Sequence, residues 1–442
     1  MRNRLIVLLI LLGSMALVSK SGLFPSAEKG SPALILGFLL LTAYCIAFFL
    51  EKIRLPRITG FIIGGLVLGP YVLNFFSTES VSELNFLNTL ALAFIAFSAG
   101  GELKLTRFRH QLKNILFLLS GVTIVVFTGV TTTVFLLSTW IPFMSGHGPI
   151  ARAAIASIFG VIAVARSPSS AIAIISETKS KGNYTDTVLS VTIVMDVLII
   201  ILFGVVISFC QVAITSQSAL NLAFLAGLMV EIVISFVIGF FLGKASVFLI
   251  ENINVAFPIV LTGIGFLVIK FSHLLGGYLH ESHDIAINLE PLLICMAAGF
   301  TVQNFSKHGE TFLLKMDRVS APIYIAFFAL TGASINLDVL RTGWFLGVIV
   351  VAVRIVMLMV GSYTSGRLSG DRPLNYKNTW LGFITQAGVS LGLLSEVVRR
   401  FPEIGIPIQT ILITAITLNQ LIGPIAFKLA LEKTGESQVA RQ

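Results

Sequence analysis

One carboxylate, Asp196, lies near the middle of an apolar run in the sequence VTIVMDVLIIILF. An ionisable side chain inside a membrane span is expensive, and such residues usually mark an ion or proton pathway. A carboxylate of this kind can hold a proton or a metal cation, but hardly both at once. The pattern therefore predicts that Asp196 binds a proton and a metal cation alternately. The alternative is a carboxylate held permanently in a buried ion pair.

Polar residues interrupt two further apolar spans, in ARSPSSAIAII at 165–175 and in TQAGVSLGLL at 385–394. Pro168 removes a backbone donor and clashes with the preceding turn, which predicts a broken helix; a simple proline kink sealed by serine is the alternative. A helix can break inside a membrane where its backbone is buried in protein or lines a watery cavity. Side-chain oxygens near these breaks would suit a hard cation. The predicted neutral ligands are Ser167, Ser169, Thr192 and Gln386.

Two arginines also lie within apolar spans, Arg354 in VIVVAVRIVMLMV and Arg166 at the edge of the first break. Arginine does not release its proton in proteins, so each is a fixed positive charge. Opposite charges inside a helix bundle usually neutralise each other, which makes Arg354 the candidate partner of Asp196. Arg354 could instead stabilise the broken helices, and Arg166 could cap carbonyls or line an inner vestibule.

Composition places these residues in a membrane. Of the 442 residues, 56% are hydrophobic and 12% are charged, and the mean hydropathy is +0.95. Soluble domains carry about twice that charged fraction. Apolar runs of about twenty residues recur along the chain, each long enough to cross about 30 Å of hydrocarbon.

The sequence therefore predicts an all-α membrane protein with about 13–14 transmembrane helices. Two interrupted spans at corresponding positions predict inverted repeats, at about 57–212 and 255–430, within a transporter domain at 31–430. Residues 1–30 would form an extra helix or a signal-like segment, and 431–442 a cytoplasmic tail. The predicted spans are 4–19, 31–50, 57–76, 84–103, 113–140, 151–176, 186–212, 219–250, 255–272, 286–304, 318–336, 339–366, 377–399 and 404–430.

Lysine and arginine cluster between alternate spans, whereas the stretches 77–84 and 215–220 contain neither residue. By the positive-inside rule, this distribution predicts a multi-pass protein of the cell inner membrane with both termini in the cytoplasm. It also accounts for the net charge of +9 without a nucleic-acid partner. The loop 273–290, with His280, His283 and Asp284, is predicted to be a solvated outer loop.

No enzymatic motif stands out. The sequence has no paired intramembrane carboxylates, no His-x-x-x-His zinc spacing and no Gly-x-Ser-x-Gly elbow. The three cysteines lie far apart within apolar spans and fit neither a disulfide framework nor a metal site. We therefore expect a transporter without a cofactor rather than an enzyme.

Several stretches together resemble the monovalent cation/proton antiporter superfamily, closest to its second, potassium-efflux-like branch. They cover nearly the whole chain from about residue 31 to 430 and are RLPRITGFIIGGLVLGP, FSAGGELKL, SPSSAIAII, VTIVMDVLIIILF, FFALTGASINL and TQAGVSLGL. The resemblance implies a core domain that moves against a dimerisation domain, alternating access and a homodimer. It also implies that Asp196 is the transport aspartate and that Arg354 is the basic residue of the second half.

The sequence departs from the superfamily pattern at two points. Met195 stands where Asp, Asn or Gln usually precedes the transport aspartate, which favours electroneutral exchange. The nucleotide-binding domain common in that branch is not expected here, so gating by NAD or glutathione is not expected either.

We therefore expect exchange of Na⁺ or K⁺ for H⁺, since oxygen ligands alone do not choose between the two cations. Monovalent cations, protons and membrane lipid are the expected partners, besides a second copy of the chain. The alternatives are an ion-coupled anion symporter on a related inverted-repeat fold, with Arg166 or Arg354 holding the anion, and a non-transporting sensor or scaffold.

Overall fold

The computed structural model describes residues 32–75, 77–215, 222–252, 257–283, 289–386 and 388–438; the predicted first segment, residues 1–30, lies outside these ranges. Within them, every regular element is a helix. The helices are α1 Pro32–Lys52, α2 Arg57–Leu68, α3 Thr78–Glu83, α4 Asn85–Glu102, α5 Leu105–His110, α6 Leu112–Leu137, α7 Pro142–Ser145, α8 Pro149–Val164, α9 Pro168–Thr178, α10 Asn183–Thr215, α11 Leu222–Asn252, α12 Phe257–His283, α13 Pro291–Phe305, α14 Gly309–Ala333, α15 Leu337–Ser369, α16 Pro373–Tyr376, α17 Thr379–Gly382, α18 Gly388–Arg400 and α19 Pro402–Lys433.

Many of these helices have the length and composition of membrane-spanning helices. In the described ranges, seven spans are long and apolar enough to cross a membrane, formed by α1, α6, α8 with α9, α10, α11, α15 and α19. Shorter apolar helices include α2, α4 and α13. Large apolar side chains such as Phe241 and Leu267, each 66% exposed, lie on their surfaces. Water would penalise such exposure, whereas hydrocarbon does not. The predicted all-α membrane class is confirmed.

Three helices differ clearly from the predicted spans, among them α14, which begins at Gly309 rather than at residue 318. The third span was predicted to reach residue 76, but α2 ends at Leu68 because Gly69 and Pro70 follow it. The stretch after residue 272 was predicted to be a loop, yet α12 continues as helix to His283. Asp284 lies outside the described residues.

The chain forms two compact units, each assembled from segments that are distant in sequence. The first contains the described residues up to Glu102, with Ile238–Leu275 and Pro291–Leu337. Here α2 packs against α1 and α14, and α4 packs against α13. Glycine allows α4 and α13 to touch: a Cβ atom at Gly100 would lie 1.8 Å from the carbonyl oxygen of Met296.

The second unit contains Leu103–Val237, Gly276–Glu290 and the described residues from Asp338 onward. In this unit α8 packs against α6 and α10, while α19 packs against α9, α17 and α18. Both predicted helix breaks fall here. One separates α8 from α9, and the other separates α17 from α18. All seven residues predicted for the site belong to this unit.

Candidate cation site at two broken helices

The first break is capped by its own serines. Ala165 is extended, with φ −57° and ψ 146°, so α8 ends before it. Ser167 precedes Pro168 as the N-cap of α9, and its Oγ accepts a hydrogen bond from the Ser170 N–H at 3.2 Å. The Ser167 hydroxyl also lies 2.9 Å from Ser169 Oγ and 3.0 Å from Ser170 Oγ. Serine at an N-cap satisfies a donor that the break leaves open.

The two breaks are joined to each other. The Ser167 N–H donates to the Thr385 carbonyl oxygen at 3.1 Å, which links the two unwound stretches directly. Gln386 Nε2 donates to the Ile162 carbonyl oxygen at 2.9 Å, while Gln386 Oε1 accepts from Asn419 Nδ2 at 2.7 Å. The amide of Gln386, predicted as a cation ligand, is thus engaged at both ends in holding the breaks together.

Arg354 binds the carbonyl ends of both broken helices. Its Nε donates to Ala163 O at 2.7 Å, and one terminal nitrogen donates to Ile384 O at 2.8 Å. The other terminal nitrogen donates at 3.1 Å to both Ala165 O and Phe383 O. The side chain is 1% exposed. The last carbonyls of a helix lack intrahelical partners and carry partial negative charge, so a buried guanidinium satisfies them and is neutralised by them.

The structure shows no ion pair between Arg354 and Asp196. Among the ion pairs of the described residues, none includes Asp196. The donors of Arg354 go to four main-chain carbonyls at the breaks instead. Arg354 therefore holds the broken helices, which was the other role open to it from sequence.

Asp196 lies on α10 with an unsatisfied oxygen. Its Oδ1 is buried and has no hydrogen-bond partner. A buried oxygen of this kind carries the full penalty of lost hydration unless a ligand supplies what the protein does not. Thr192, one turn earlier on the same helix, is buried, and its Oγ1 donates to the Val188 carbonyl oxygen at 2.7 Å. The hydroxyl oxygen of Thr192 retains acceptor capacity.

Arg166 is a buried cation in the same unit as Asp196. It is 1% exposed, and none of its three guanidinium nitrogens has a hydrogen-bond partner. The guanidinium carbon lies 3.7 Å above the ring of Phe383, in the second break. Arg166 thus caps no carbonyl, in contrast to one of its predicted roles. The aromatic face attracts it by a cation–π interaction.

Met195 makes the neighbourhood of Asp196 less polar. Its side chain is fully buried, and its sulfur accepts a hydrogen bond from Thr123 Oγ1 at 3.4 Å. A thioether is a weak acceptor and carries no charge. Asp196 therefore has no acidic neighbour at the preceding position in the chain.

Three further buried oxygens were missed as candidates from sequence. Thr385 Oγ1, Ser390 Oγ and Asn419 Oδ1 have no hydrogen-bond partner. The polar pair Asn419–Gln420 within an apolar span was the signal for the third. Glu290, in the same unit as Asp196, was also missed, because its position at the end of the predicted loop offered no signal.

These residues suit a hard monovalent cation better than a transition metal. The described part of the chain contains no group of three His, Cys, Asp or Glu side chains that could hold a metal ion. What it offers is the carboxylate of Asp196 on α10 and the hydroxyl and amide oxygens at the breaks. Oxygen ligands with few charges bind hard cations, and bind them weakly enough for release.

Comparisons with known proteins show the family of the chain. Residues 37–433 match the family model described as sodium/hydrogen exchanger, transmembrane. A stretch of 119 residues is 29% identical to cation/H(+) antiporter 19 of Arabidopsis thaliana; the match covers 24% of this chain and 15% of that protein's length.

Solved structures give the same fold over nearly the full length. One structure of the sodium proton antiporter MjNhaP1 from Methanocaldococcus jannaschii, at pH 8, superposes with a TM-score of 0.64 and 18% identity, covering 94% of this chain and 99% of the other. A second, determined by electron microscopy, gives a TM-score of 0.70 and 17% identity, covering 91% and 98%. With the family model matched from residue 37 to 433, the chain belongs to the transmembrane sodium/hydrogen exchanger family.

Proposed function

We propose that this protein exchanges a monovalent cation, Na⁺ or K⁺, for H⁺ by alternating access, with Asp196 binding the two competitively. The observation that carries the proposal is the partnerless Oδ1 of Asp196, buried on a transmembrane helix. Family membership supports cation/proton antiport as the class of activity. The choice between Na⁺ and K⁺ belongs to the experiment below.

One carboxylate accounts for the exchange. On the side of the membrane where the cation is concentrated, the cation displaces the proton from Asp196. The cation then takes hydroxyl oxygens as further ligands. Ser167, Ser169 and Thr192 are our candidates, together with Thr385. After reorientation, a proton displaces the cation. Proton and monovalent cation carry the same charge, and Met195 adds no second carboxylate, so one-for-one electroneutral exchange follows.

The two arginines have different tasks in this mechanism. Arg354 fixes both breaks through four carbonyls and keeps the unwound backbone satisfied during transport. Arg166 is a fixed positive charge near Asp196 that no hydrogen bond neutralises. Like charges repel strongly where water is excluded. Arg166 therefore opposes cation binding and keeps the affinity of Asp196 moderate, which suits release on the other side.

We further propose a homodimer in the cell inner membrane, with both termini in the cytoplasm and lipid around the exposed apolar faces. The unit that holds both breaks and Asp196 would be the moving core, and the other unit the dimerisation domain. The division of the chain into two units supports this assignment. The proposed inverted repeats would each contribute one break to the core.

The test measures ΔpH dissipation in everted vesicles from an antiporter-deficient host on addition of Na⁺, K⁺ or Li⁺. Wild type is expected to respond to one or more cations, and Asp196→Asn is expected to lose the response completely. Asp338→Asn is the matched control, because it removes the same charge from an exposed side chain in the same unit. An unchanged response in Asp196→Asn, with the protein present in equal amount, would refute the role of Asp196.

An ion-coupled anion symporter is the second candidate, and one observation favours it: the buried guanidinium of Arg166 has no hydrogen-bond partner. An anion could supply that partner. Uptake of an anion without a cation-dependent pH signal, lost in Arg166→Gln, would support this candidate. A cation-dependent pH signal that survives in Arg166→Gln would exclude it.

A further inference from the structure

The helix that carries Asp196 takes its N-terminal cap from Glu436, 252 residues after Tyr184 in the chain. Helix α10 begins at Asn183, after Gly182, which has no side chain to serve as a cap. The N–H groups of Tyr184 and Thr185 donate instead to the two carboxylate oxygens of Glu436, at 2.9 and 2.7 Å. Thr185 Oγ1 donates to the same carboxylate at 2.7 Å. A carboxylate at a helix N-terminus satisfies open donors and complements the helix dipole.

Gly182 makes room for this distant cap. A Cβ atom at Gly182 would lie 2.2 Å from the carboxyl carbon of Glu436. The carboxylate thus occupies the space in which the side chain of a local Ser, Thr or Asp cap would begin. Gly182 and Glu436 therefore act as a pair. Gly182 provides no local cap, and Glu436 supplies the cap instead.

The segment 434–438, which we term the clasp, joins the ends of three helices around the site. The carbonyl oxygen of Glu436 accepts from the Lys181 N–H at 3.2 Å, and the Gln438 N–H donates to Thr178 O, at the end of α9, at 3.1 Å. The Glu436 N–H donates to Leu431 O, in α19, at 3.1 Å. Those helices carry the hydroxyls of the first break, Asp196 and Asn419.

We propose that Glu436 is a positioning residue for Asp196, and that the clasp fixes α10 against α9 and α19. This rests on the proposed function. Asp196 is 13 residues beyond Asn183, or about 20 Å along the helix axis at 1.5 Å per residue. A helix held at its end transmits a shift of that end along its length. Loss of the clasp therefore changes how Asp196 faces the break, and with it the affinity for the cation.

The experiment uses purified full-length protein with two readouts. Hydrogen exchange at the amides of Tyr184 and Thr185 reports the cap, and the cation concentration giving half-maximal ΔpH dissipation in proteoliposomes reports the site. For Glu436→Ala we expect amide exchange about fivefold faster, as for loss of a helix cap, and a half-maximal concentration raised by roughly threefold or more. Glu432→Gln is the control, since it removes a nearby negative charge outside the clasp, and it should change neither readout.

A conservative substitution distinguishes a capping role from a general loss of stability. Glu436→Gln keeps the length of the side chain and an amide oxygen that can accept from the N–H groups of Tyr184 and Thr185, so it should retain part of both readouts. Gly182→Ser should weaken cation binding, because its Cβ clashes with the carboxyl group of Glu436 and because residues with a side chain rarely adopt the φ of +158° found at residue 182.

Three outcomes overturn the inference. Unchanged amide exchange in Glu436→Ala would show that Glu436 does not cap α10. Faster amide exchange with an unchanged half-maximal cation concentration would show that the clasp caps α10 without positioning Asp196. If wild type shows no cation response at all, the proposed function fails and the positioning role fails with it, while the amide readout still decides whether Glu436 caps α10.

Discussion

Arg354 is a buried charge, and Asp196 is a half-buried charge of the opposite sign. The guanidinium of Arg354 finds four acceptors in the protein, all of them main-chain carbonyls of the breaks. Asp196 leaves an oxygen without any. A buried charge whose hydrogen bonds are all made within the protein has a structural role. A charged group with an unpaired buried oxygen lowers the stability of the protein, and a ligand can supply the missing interaction.

The first prediction contrasts these two residues. Arg354→Gln leaves several buried carbonyls without donors, and we expect it to lower the free energy of unfolding by about 3–5 kcal/mol. Asp196→Asn removes a desolvated charge and should leave the melting temperature of the detergent-solubilised protein equal or higher. Thermal unfolding of both variants beside wild type checks this. Equal destabilisation by the two substitutions would show that Asp196 is a structural residue.

Close helix contacts determine structure at the scale of elements. Helices α4 and α13 touch where Gly100 faces Met296 O and where Gly299 faces Phe97 O. Small residues allow such contacts in membranes, where van der Waals packing rather than the hydrophobic effect holds helices together. The same logic lets Gly182 admit Glu436 at the start of α10.

The second prediction concerns that contact. In Gly100→Ala the new Cβ would lie 1.8 Å from a backbone oxygen that cannot rotate away. We expect a destabilisation of about 3 kcal/mol, the upper part of the range for overpacking. Gly263→Ala in α12 is the control, since a Cβ there meets nothing within 4 Å. The melting temperatures of both variants test this prediction. A Gly100→Ala protein as stable as the Gly263→Ala control would refute the close contact.

At the scale of the whole molecule, charge and hydropathy set the orientation in the membrane. The chain carries 30 Lys and Arg against 21 Asp and Glu, and its basic residues gather between alternate spans. Loops rich in lysine and arginine stay in the cytoplasm. The described clasp belongs to the C-terminal segment, so we expect it on the cytoplasmic side with the ends of α9 and α19.

The third prediction tests this orientation. A fluorescent protein fused after residue 442 should fluoresce, because it folds only in the cytoplasm. Alkaline phosphatase inserted within 215–220, which contains no Lys or Arg, should be active, because it folds only in the periplasm. The opposite pattern of activities would invert the topology and place the clasp on the outer face.

The sequence by itself determined the membrane class, the two helix breaks and the carboxylate, because hydropathy, proline and a lone charge act locally along the chain. It also singled out Arg354, although not which of its two possible tasks it performs. Only tertiary structure decided that Arg354 serves the four carbonyls and that Gln386 ties the breaks together. Nor could sequence show that Arg166 stacks on Phe383 or that Glu436 caps a helix about 250 residues away. Those assignments depend on which unsatisfied group lies nearest in space, and sequence separation does not encode that distance.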